Sequence, residues 1–154
     1  MDKELSDLDR KILKILTKNA RTPFVEVAKQ CDVSGAAVHQ RVRNMFASGL
    51  LSGSQYNVSP KKLGYHTCAY IGIQVNLIST RTHDEVFEKI MKIPGVVECH
   101  HISGKYSLMI KVYARDNEGL KNIIVSEIQI IPEITATETF ISLEEGFSRQ
   151  LPIE

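Results

Sequence analysis

The stretch ISGKYSLMIKV, residues 102–112, lies at the centre of the pattern that decides the fold. Its Gly-Lys dipeptide begins at Gly104, and glycine fits the first central position of a two-residue type II′ turn. After the dipeptide, Leu108, Ile110 and Val112 recur at every second position, as the buried side chains of a β-strand do. The stretch therefore predicts a β-hairpin that turns within two residues.

Helix and strand patterns alternate on both sides of this hairpin. In chain order they predict a strand at about 67–75, a helix at 81–92, the hairpin strands at 96–103 and 106–114, a helix that starts after Asp116, and a strand at 134–143. This order is a βαβ unit that occurs twice, so we predict an α+β fold with a ferredoxin-like βαββαβ domain. We expect Met91 of its first helix to face the core.

Both helices of this predicted domain cover the same face of the sheet, which leaves the other face open. Isoleucine and valine are abundant enough to occupy both faces, and an uncovered apolar face marks an interaction surface. We therefore expect two copies of the chain to form a dimer through the open face, since a twofold contact closes on itself.

The front of the chain carries helical patterns and cap signals. Ser6 and Asp9 fit a capping box at the start of a first helix, and Pro23 fits the first turn of a second. Ser34 can cap a third helix that runs through Phe46. We expect the side chain of Phe46 to face the core. Only about four residues separate the second and third helices, and this spacing is typical of a helix-turn-helix.

The predicted third helix is basic, since it contains Arg41 and Arg43 and no acidic residue. Arg41 lies nearer the core edge and can bond an acid such as Asp9. Residues 1–53 carry nine Lys/Arg and six Asp/Glu, a net +3, and the remaining residues carry ten and twelve, a net −2. Both patterns favour an anionic partner at the front, although a three-helix bundle with a basic solvated face fits the same spacing.

The segment SGAAVHQRVRNM, residues 34–45, has the features of a recognition helix. Small residues at its start let the backbone approach a phosphate, which the positive helix end favours. Glutamine pairs well with adenine, and arginine with guanine edges or phosphates. We therefore predict that the residues in contact with double-stranded DNA are Ser34, Gly35, Ala36, His39, Gln40 and Arg43.

The segment 50–65 differs from both neighbours, because it is rich in Gly, Ser, Asn, Lys and Pro. Such a composition is typical of a connector. We therefore predict a helix-turn-helix domain over 1–53, a linker over 54–65 and a ferredoxin-like domain over 66–154.

The composition predicts a binding protein and not an enzyme. The 154 residues are 43% hydrophobic and 24% charged, with a net charge of +1, and no glycine-rich phosphate loop occurs among them. No apolar run reaches the ~18 residues of a membrane span. The start, MDKELSDLDRK, has no signal-peptide core, so we expect a cytoplasmic protein that contacts no membrane.

The run Cys99, His100 and His101 is the strongest candidate for a metal or catalytic site. Neighbouring strand residues point to opposite faces, so the three side chains do not readily share one metal ion. No third group orients Cys99 and His100 as a nucleophile pair. We therefore predict no catalytic residue, no metal and no cofactor, and an enzyme that uses Cys99 and His100 is the alternative.

Several motifs together resemble those of the Lrp/AsnC feast-or-famine transcriptional regulators, and they span essentially the whole chain. They are LDRKIL at 8–13, NARTPFVEVAKQCDVS at 19–34, SGAAVHQRVRNM at 34–45, GLLSG at 49–53, LGY at 63–65 and SGKYSLMIKV at 103–112. VSPKKLGY and EIQIIPEITATETF are most similar to the asparagine-responsive branch. The resemblance implies an N-terminal winged helix-turn-helix and a C-terminal ligand-sensing domain. It also implies dimers assembled as octamers of four dimers, with amino-acid effectors bound between dimers.

The resemblance further implies that the effector contacts two parts of the assembly. One is the turn between the second and third strands, and the other is the last helix and strand of a neighbouring chain. The corresponding positions here are Gly104, Tyr106, Ser107, Gln129, Thr137, Glu138 and Thr139. Many family members carry Asp where this chain has Ser107, whose hydroxyl can still donate and accept a hydrogen bond. Thr137 and Thr139 share a strand face, where two hydroxyls can bind a carboxylate or an amide, although strand propensity also accounts for threonine there.

These patterns together predict a DNA-binding transcriptional regulator whose activity responds to a small amino acid, most plausibly asparagine. Two alternatives stay open: a stand-alone amino-acid sensor that acts through a protein partner, and a DNA-binding family member that needs no ligand.

Overall fold

A computed structural model of the protein describes residues 5–76 and 81–154. Its contacts divide the chain into two compact units. The first runs to Asn57 and includes Phe147–Glu154, and the second is Val58–Gly146. Within the described residues, no helix is both long and apolar enough to cross a membrane.

The domain ranges 1–53, 54–65 and 66–154 stay predictions. The contacts differ from them at 147–154, which belong to the first unit. The reason is that Ile153 packs against the apolar cluster of the helices in that unit.

The first unit contains the three predicted helices, which are α1 (Asp7–Lys18), α2 (Phe24–Cys31) and α3 (Gly35–Ala47). Ser6 Oγ accepts a hydrogen bond from the Asp9 N–H at 3.2 Å and donates one to Asp9 Oδ2 at 2.7 Å. Ser34 Oγ accepts from the Ala37 N–H at 3.1 Å. Both predicted caps are confirmed.

One apolar cluster holds these helices together, and its buried members are Ile12, Leu13, Val27, Ala28, Val38, Val42 and Met45. Phe46 was expected to face this core, but it is 48% exposed. Each helical residue is rotated by about 100° from the one before it. Because Met45 takes the core-facing position, Phe46 points away from the cluster.

The segment after α3 has no regular structure between residues 51 and 59, where neither helix nor strand is assigned. The wing that the resemblance implies is therefore not a paired hairpin in this structure.

The second unit has the order and topology of a ferredoxin-like domain. Its elements are β1 (Thr67–Val75), α4 (Arg81–Met91), β2 (Val96–His101), β3 (Leu108–Ala114), α5 (Asn117–Asn122, which continues as a π-helix over Ile123–Ile128) and β4 (Ile134–Ser142). The four strands lie in the order β2-β3-β1-β4, and every neighbouring pair is antiparallel. The predicted βαββαβ fold is confirmed.

The two faces of this sheet differ in composition. Side chains of β1 and β3 such as Ile71, Ile73 and Ile110 form a buried core with α4 and α5. The open face instead bears Tyr70 and Phe140, which are cross-strand neighbours, with other aromatic and charged side chains. The prediction that isoleucine and valine occupy both faces is therefore wrong, because strict alternation sends them to the helix side.

Met91, the last residue of α4, was also expected in the core, yet it is 76% exposed. Ile90 and Ile93 are buried instead. Met91 lies one position beyond the core-facing Ile90, so the rotation of the helix turns it outward.

The hairpin between β2 and β3 is confirmed, but its turn is longer than two residues. The Ile102 N–H donates to the Ser107 carbonyl oxygen at 3.1 Å, so residues 103–106 form the loop. Gly104 takes a positive φ of +125° there. The Ser107 N–H donates to the carbonyl oxygen of Ile73 in β1 at 2.9 Å, and the connection is therefore anchored to β1 rather than closed as a tight turn.

Candidate nucleic-acid interface and effector site

The residues predicted to contact DNA lie together at the start and along the outer side of α3. Ser34, Ala36, His39, Gln40 and Arg43 are exposed, and Gly35 is half-buried. A Cβ built on Gly35 would meet no described atom within 4 Å, so there is open space beside the helix at this position.

Two of these side chains are held by neighbours on the helices. The Gln40 Nε2 donates to Asn44 Oδ1 at 2.9 Å. The His39 ring meets the edge of the Phe24 ring, with centroids 5.9 Å apart. The Gln40 amide is therefore held along α3, and the His39 ring is held against α2.

The two arginines of α3 have different surroundings. Arg41 Nη1 lies 3.1 Å from Asp9 Oδ2 and 3.2 Å from Ser6 Oγ, so it ties α3 to the start of α1. This confirms the predicted bond to Asp9. Arg43 has no ion-pair partner among the residues that the structure describes, so its guanidinium is available to a ligand.

The predicted effector residues form two groups on opposite faces of β4. In the first group, on the open face, both Tyr106 Oη and Lys105 Nζ donate hydrogen bonds to Glu138 Oε2. The Tyr106 ring packs over Gly72 of β1, where an added Cβ would lie 2.7 Å from ring carbons. The Phe140 ring meets it edge-on, with centroids 6.4 Å apart.

The electrostatics of this first group favour a fixed carboxylate. The hydrogen bond from Lys105, and then the one from Tyr106, hold the pKa of Glu138 below its ordinary value. The same bond to Glu138 raises the pKa of Lys105 above its ordinary value. An anionic oxygen and an ammonium group are therefore paired at the loop, where the side chains of Lys105 and Glu138 are 65% and 46% exposed.

The second group lies on the helix side of β4. Gln129, the residue after the π-helix, donates from Nε2 to Thr137 Oγ1 at 2.9 Å. Thr137 and Thr139 pair with Ile73 and Ile71 of β1, whose side chains are buried, so both threonines lie on that face. The alternation predicted for the two hydroxyls is confirmed.

Gly104 and Ser107 complete the predicted set at the loop. Gly104 is exposed at its tip. Ser107 Oγ accepts a hydrogen bond from the Val75 N–H at 3.3 Å, which fixes this hydroxyl against the end of β1. The hydroxyl proton of Ser107 remains able to donate, because the bond to Val75 uses only an oxygen lone pair.

The two groups lie apart from the two cavities that occur among the described residues of the second unit. Cavities of about 310 and 460 Å³ occur in the second unit. The first is bordered by α5 and Ile141, and the second by residues such as Tyr65 and Arg115. None of the predicted effector residues borders either cavity.

Sequence reasoning placed Lys105 in the turn but not among the predicted effector contacts, and it did not name Gly72. Glycine inside a strand signals a close approach by another group, and this signal could have indicated Gly72. Lys105 occupies the position beside Gly104 and could have been included as a charge on the turn. The contact of Lys105 with Glu138 depends on the register between β4 and β1, which the sequence does not specify.

The cysteine-histidine run is divided between the two faces of the sheet. Cys99 pairs with Ile110 on the core side, and His100 pairs with Met109 on the open side. Burial raises the pKa of the Cys99 thiol to about 11, so the thiolate needed for nucleophilic attack is scarce at neutral pH. Within the described ranges, no group of three or more His, Cys, Asp or Glu side chains could hold a metal ion.

A basic helix-turn-helix followed in the chain by a ferredoxin-like domain defines a class, the DNA-binding regulators with a separate sensing domain. Residues 5–45 match the AsnC-type helix-turn-helix domain, and residues 68–151 match the Lrp/AsnC ligand binding domain. The chain therefore belongs to the Lrp/AsnC family of DNA-binding transcriptional regulators, which are not enzymes.

Curated relatives extend this similarity over nearly the whole chain. Regulatory protein AsnC of Haemophilus influenzae is 37% identical over 147 residues, which is 96% of this chain and 97% of that protein. HTH-type transcriptional regulator LrpA of Pyrococcus horikoshii is 36% identical over 143 residues, which is 92% of this chain and 98% of that protein.

Solved structures share the fold. The structure of Escherichia coli AsnC is 38% identical, with a TM-score of 0.87, and the match covers 95% of this chain and 97% of that one. A feast or famine regulatory protein from Mycobacterium tuberculosis, complexed with L-methionine, has a TM-score of 0.87 at 23% identity over 97% and 99% of the two chains. At that identity the second match shows the fold alone.

Proposed function

We propose that this protein is a transcriptional regulator whose binding to double-stranded DNA responds to a small amino acid, asparagine. The observation that carries the proposal is the 37% identity to Regulatory protein AsnC over 96% of the chain, which includes both the helix-turn-helix and the ligand-binding domain. The resemblance described above adds the amino-acid effector.

DNA contact is assigned to the exposed side of α3. The N-terminal turn at Ser34, Gly35 and Ala36 approaches the phosphate backbone through main-chain N–H groups. His39, Gln40 and Arg43 reach base edges or phosphates in the major groove. The exposure of these side chains and the open space at Gly35 support this assignment.

Effector binding is assigned to the loop and to β4. A free amino acid carries an ammonium and a carboxylate, and asparagine adds a carboxamide. Glu138 offers a carboxylate for the ammonium, while Ser107, Gln129, Thr137 and Thr139 offer hydroxyl and amide groups. Because these groups lie on two faces of β4, the site is completed by another chain, as the family resemblance implies.

The effector acts by differential affinity. A ligand shifts DNA binding only by the free energy that separates its affinities for the free and DNA-bound states. We propose that the protein forms dimers through the open sheet face and octamers of four dimers, and that it acts in the cytoplasm. Tyr70, Phe140 and Lys111 on that face support the dimer, and a monomer mass in light scattering at micromolar concentration would argue against it.

The effector is tested by thermal unfolding with each of the twenty amino acids. A ligand at a hundred times its dissociation constant stabilises the fold by ~2.7 kcal/mol, enough to raise the melting temperature visibly. We expect asparagine to give the largest shift and Gln129→Ala to remove it. Gln30→Ala is the matched control, because Gln30 lies on α2, outside the predicted effector residues, and its amide bonds its helix neighbour Glu26.

The outcomes of this test separate the alternatives. A shift with asparagine that Gln129→Ala removes supports the proposed site. If Gln129→Ala leaves the shift unchanged, asparagine binds somewhere other than the Gln129–Thr137 pair. No shift with any amino acid indicates a DNA-binding member of the family that needs no ligand.

A further inference from the structure

The segment Phe147–Glu154 belongs to the helical unit, although the residues before it belong to the ferredoxin-like unit. It has no helix or strand of its own. Ile153 packs against the apolar cluster of α1, α2 and α3. Arg10 of α1 donates from Nη1 to the main-chain oxygen of Glu154 at 3.1 Å. Within the described residues, the packing of Ile153 and the hydrogen bond to Glu154 therefore attach the segment to the helices.

The other large apolar side chains of the segment do not contribute to this attachment. Phe147 is 77% exposed and Leu151 is 88% exposed. Arg149 lies over the Phe147 ring at 5.1 Å, so these two side chains contact each other. Among the described residues, the attachment of the segment is therefore concentrated at Ile153 and Glu154.

The cluster that Ile153 joins also positions α3. Val38, Val42 and Met45 of α3 are buried in it. On the other side of α3 lie the exposed side chains that we assign to DNA, among them Arg43. A loss of packing at Ile153 therefore reaches the DNA-contacting helix through shared neighbours in the same core.

We propose that the segment Phe147–Glu154 is a latch on the DNA-binding unit. Docking of Ile153 and Glu154 on α1 and its cluster holds α3 in the arrangement that binds DNA, and release of the latch lowers DNA affinity. The proposal rests on α3 being the DNA-contacting helix. It also gives β4 a direct covalent connection to the helical unit, because only residues 143–146 separate Ser142 from the latch.

The test compares Ile153→Ser with Leu151→Ser in the full chain. Leu151 is the matched control, since it lies two positions away and is exposed. Hydrogen exchange is measured at the α3 amides, and affinity is measured for a duplex that the wild-type chain selects from a random library. We expect Ile153→Ser to speed α3 exchange and weaken DNA binding, each about tenfold, while Leu151→Ser matches the wild type.

The salt dependence distinguishes latch release from the loss of a DNA contact. The slope of log affinity against log salt reports the number of phosphates neutralised. We expect Ile153→Ser to keep the wild-type slope, since it removes no phosphate contact. A slope that falls with the affinity would overturn the latch, because the segment itself would then be part of the DNA interface.

A second variant keeps the proposal testable if Ile153→Ser fails to fold. Arg10→Gln removes the bond to Glu154 together with one positive charge, so Lys14→Ala, which removes an exposed charge of α1, is its control. Relative to that control, we expect Arg10→Gln to change α3 exchange and DNA affinity about two- to threefold in the same direction as Ile153→Ser. Wild-type exchange and affinity in the folded variants would overturn the latch. If Arg43→Ala leaves DNA affinity unchanged while Ile153→Ser still speeds α3 exchange, the assigned DNA contacts fail and the latch docking stands.

Discussion

At the scale of single residues, two arginines of α3 have different surroundings and therefore different predicted roles. Arg41 is bonded to Asp9 and Ser6 of the α1 start, and its side chain is 43% exposed. Arg43 is exposed, and no acid within the described residues pairs with it. We therefore predict that Arg41 holds two helices together and that Arg43 contacts DNA.

Substitution of each arginine by alanine should separate these roles. We expect Arg41→Ala to lower the free energy of unfolding by about 1 kcal/mol, as for a partly exposed ion pair with hydrogen bonds, and to leave DNA affinity close to the wild type. Arg43→Ala should leave stability within about 0.5 kcal/mol and weaken DNA binding by about 1–3 kcal/mol. Urea unfolding and fluorescence anisotropy on a selected duplex measure the two quantities.

Lys14→Ala is the control for this pair, because Lys14 is an exposed cation of α1 outside α3. It removes the same charge from the same unit, so it measures the general electrostatic contribution to DNA binding. Equal losses of DNA affinity for Arg43→Ala and Lys14→Ala would contradict a specific contact by Arg43.

Glu138 predicts a pH dependence of the loop. Its pKa is lowered by the hydrogen bonds from Lys105 and Tyr106. Since the pKa is lower in the folded chain than in the unfolded one, the stabilising contribution is present above the ordinary value of 4.5. It is lost as the pH falls through the folded value. Carboxyl NMR should show Glu138 titrating below 4.5, and the Tyr106 ring signals should shift at the same pH.

Lys105→Met is the variant that checks the cause of this pH dependence. It removes the first hydrogen bond to Glu138 while it keeps a side chain of similar length. We expect the Glu138 midpoint to rise toward its ordinary value. An unchanged midpoint would show that Lys105 does not hold the carboxylate in solution.

Local chemistry decided which residue contacts could be predicted from the sequence. The caps at Ser6 and Ser34 were predictable, because a cap joins residues three positions apart. The Arg41–Asp9 bond was predictable from the opposite charges and from the place of Arg41 beside the core-facing residues of α3. The contacts of Tyr106 and Lys105 with Glu138 were not predictable, because they depend on the register that pairs Glu138 of β4 with Gly72 of β1.

At the scale of elements, the hairpin loop is fixed by its contact with β1. The Tyr106 ring covers Gly72, and the Ser107 N–H bonds the carbonyl oxygen of Ile73. The loop that carries Gly104 is therefore positioned by the centre of the sheet. A change in β1 should reach the proposed effector site through this contact.

Gly72→Ala tests this dependence. The added Cβ would lie 2.7 Å from the Tyr106 ring, so the ring must move and its bond to Glu138 must lengthen. We expect a loss of about 1–3 kcal/mol in the free energy of unfolding, measured in urea, and a smaller thermal shift with asparagine.

Gly35→Ala is the control for this substitution. A Cβ at Gly35 meets no atom within 4 Å, and alanine is favoured in a helix, so its stability should equal or exceed that of the wild type. A Gly72→Ala protein as stable as the Gly35→Ala protein would contradict the packing of Tyr106 on Gly72.

The elements themselves were largely predictable, because strands and helices have different periods. Alternation predicted β1 and β3, and spacings of three and four predicted α1, α3 and α4. The wrong predictions of burial were at Phe46 and Met91. At each of them, a shift of one residue along the helix decides whether a side chain faces the core. The π-helix over Ile123–Ile128 was not predictable, because Leu120, Ile123, Ile124 and Ile128 follow α-helical spacing in the sequence and the i→i+5 bonding of a single widened turn has no pattern of its own.

At the scale of the whole molecule, two units of different chemistry lie in one chain. The helical unit exposes a basic helix, and the ferredoxin-like unit exposes an aromatic sheet face and a polar loop. The sequence predicted both units from their patterns. It could not predict that 147–154 return to the helical unit, since this segment has no periodicity and only Ile153 of its apolar residues is packed.

The central claim is that an amino acid bound by the second unit changes how the first unit binds DNA. Its most direct test is the affinity of the wild-type chain for a selected duplex, measured with and without saturating asparagine at one salt concentration. Coupling between two sites changes affinity by about 5–150-fold, and we expect a change in this range, with Arg43→Ala weaker than the wild type in both conditions. The same affinity with and without asparagine would contradict the claim.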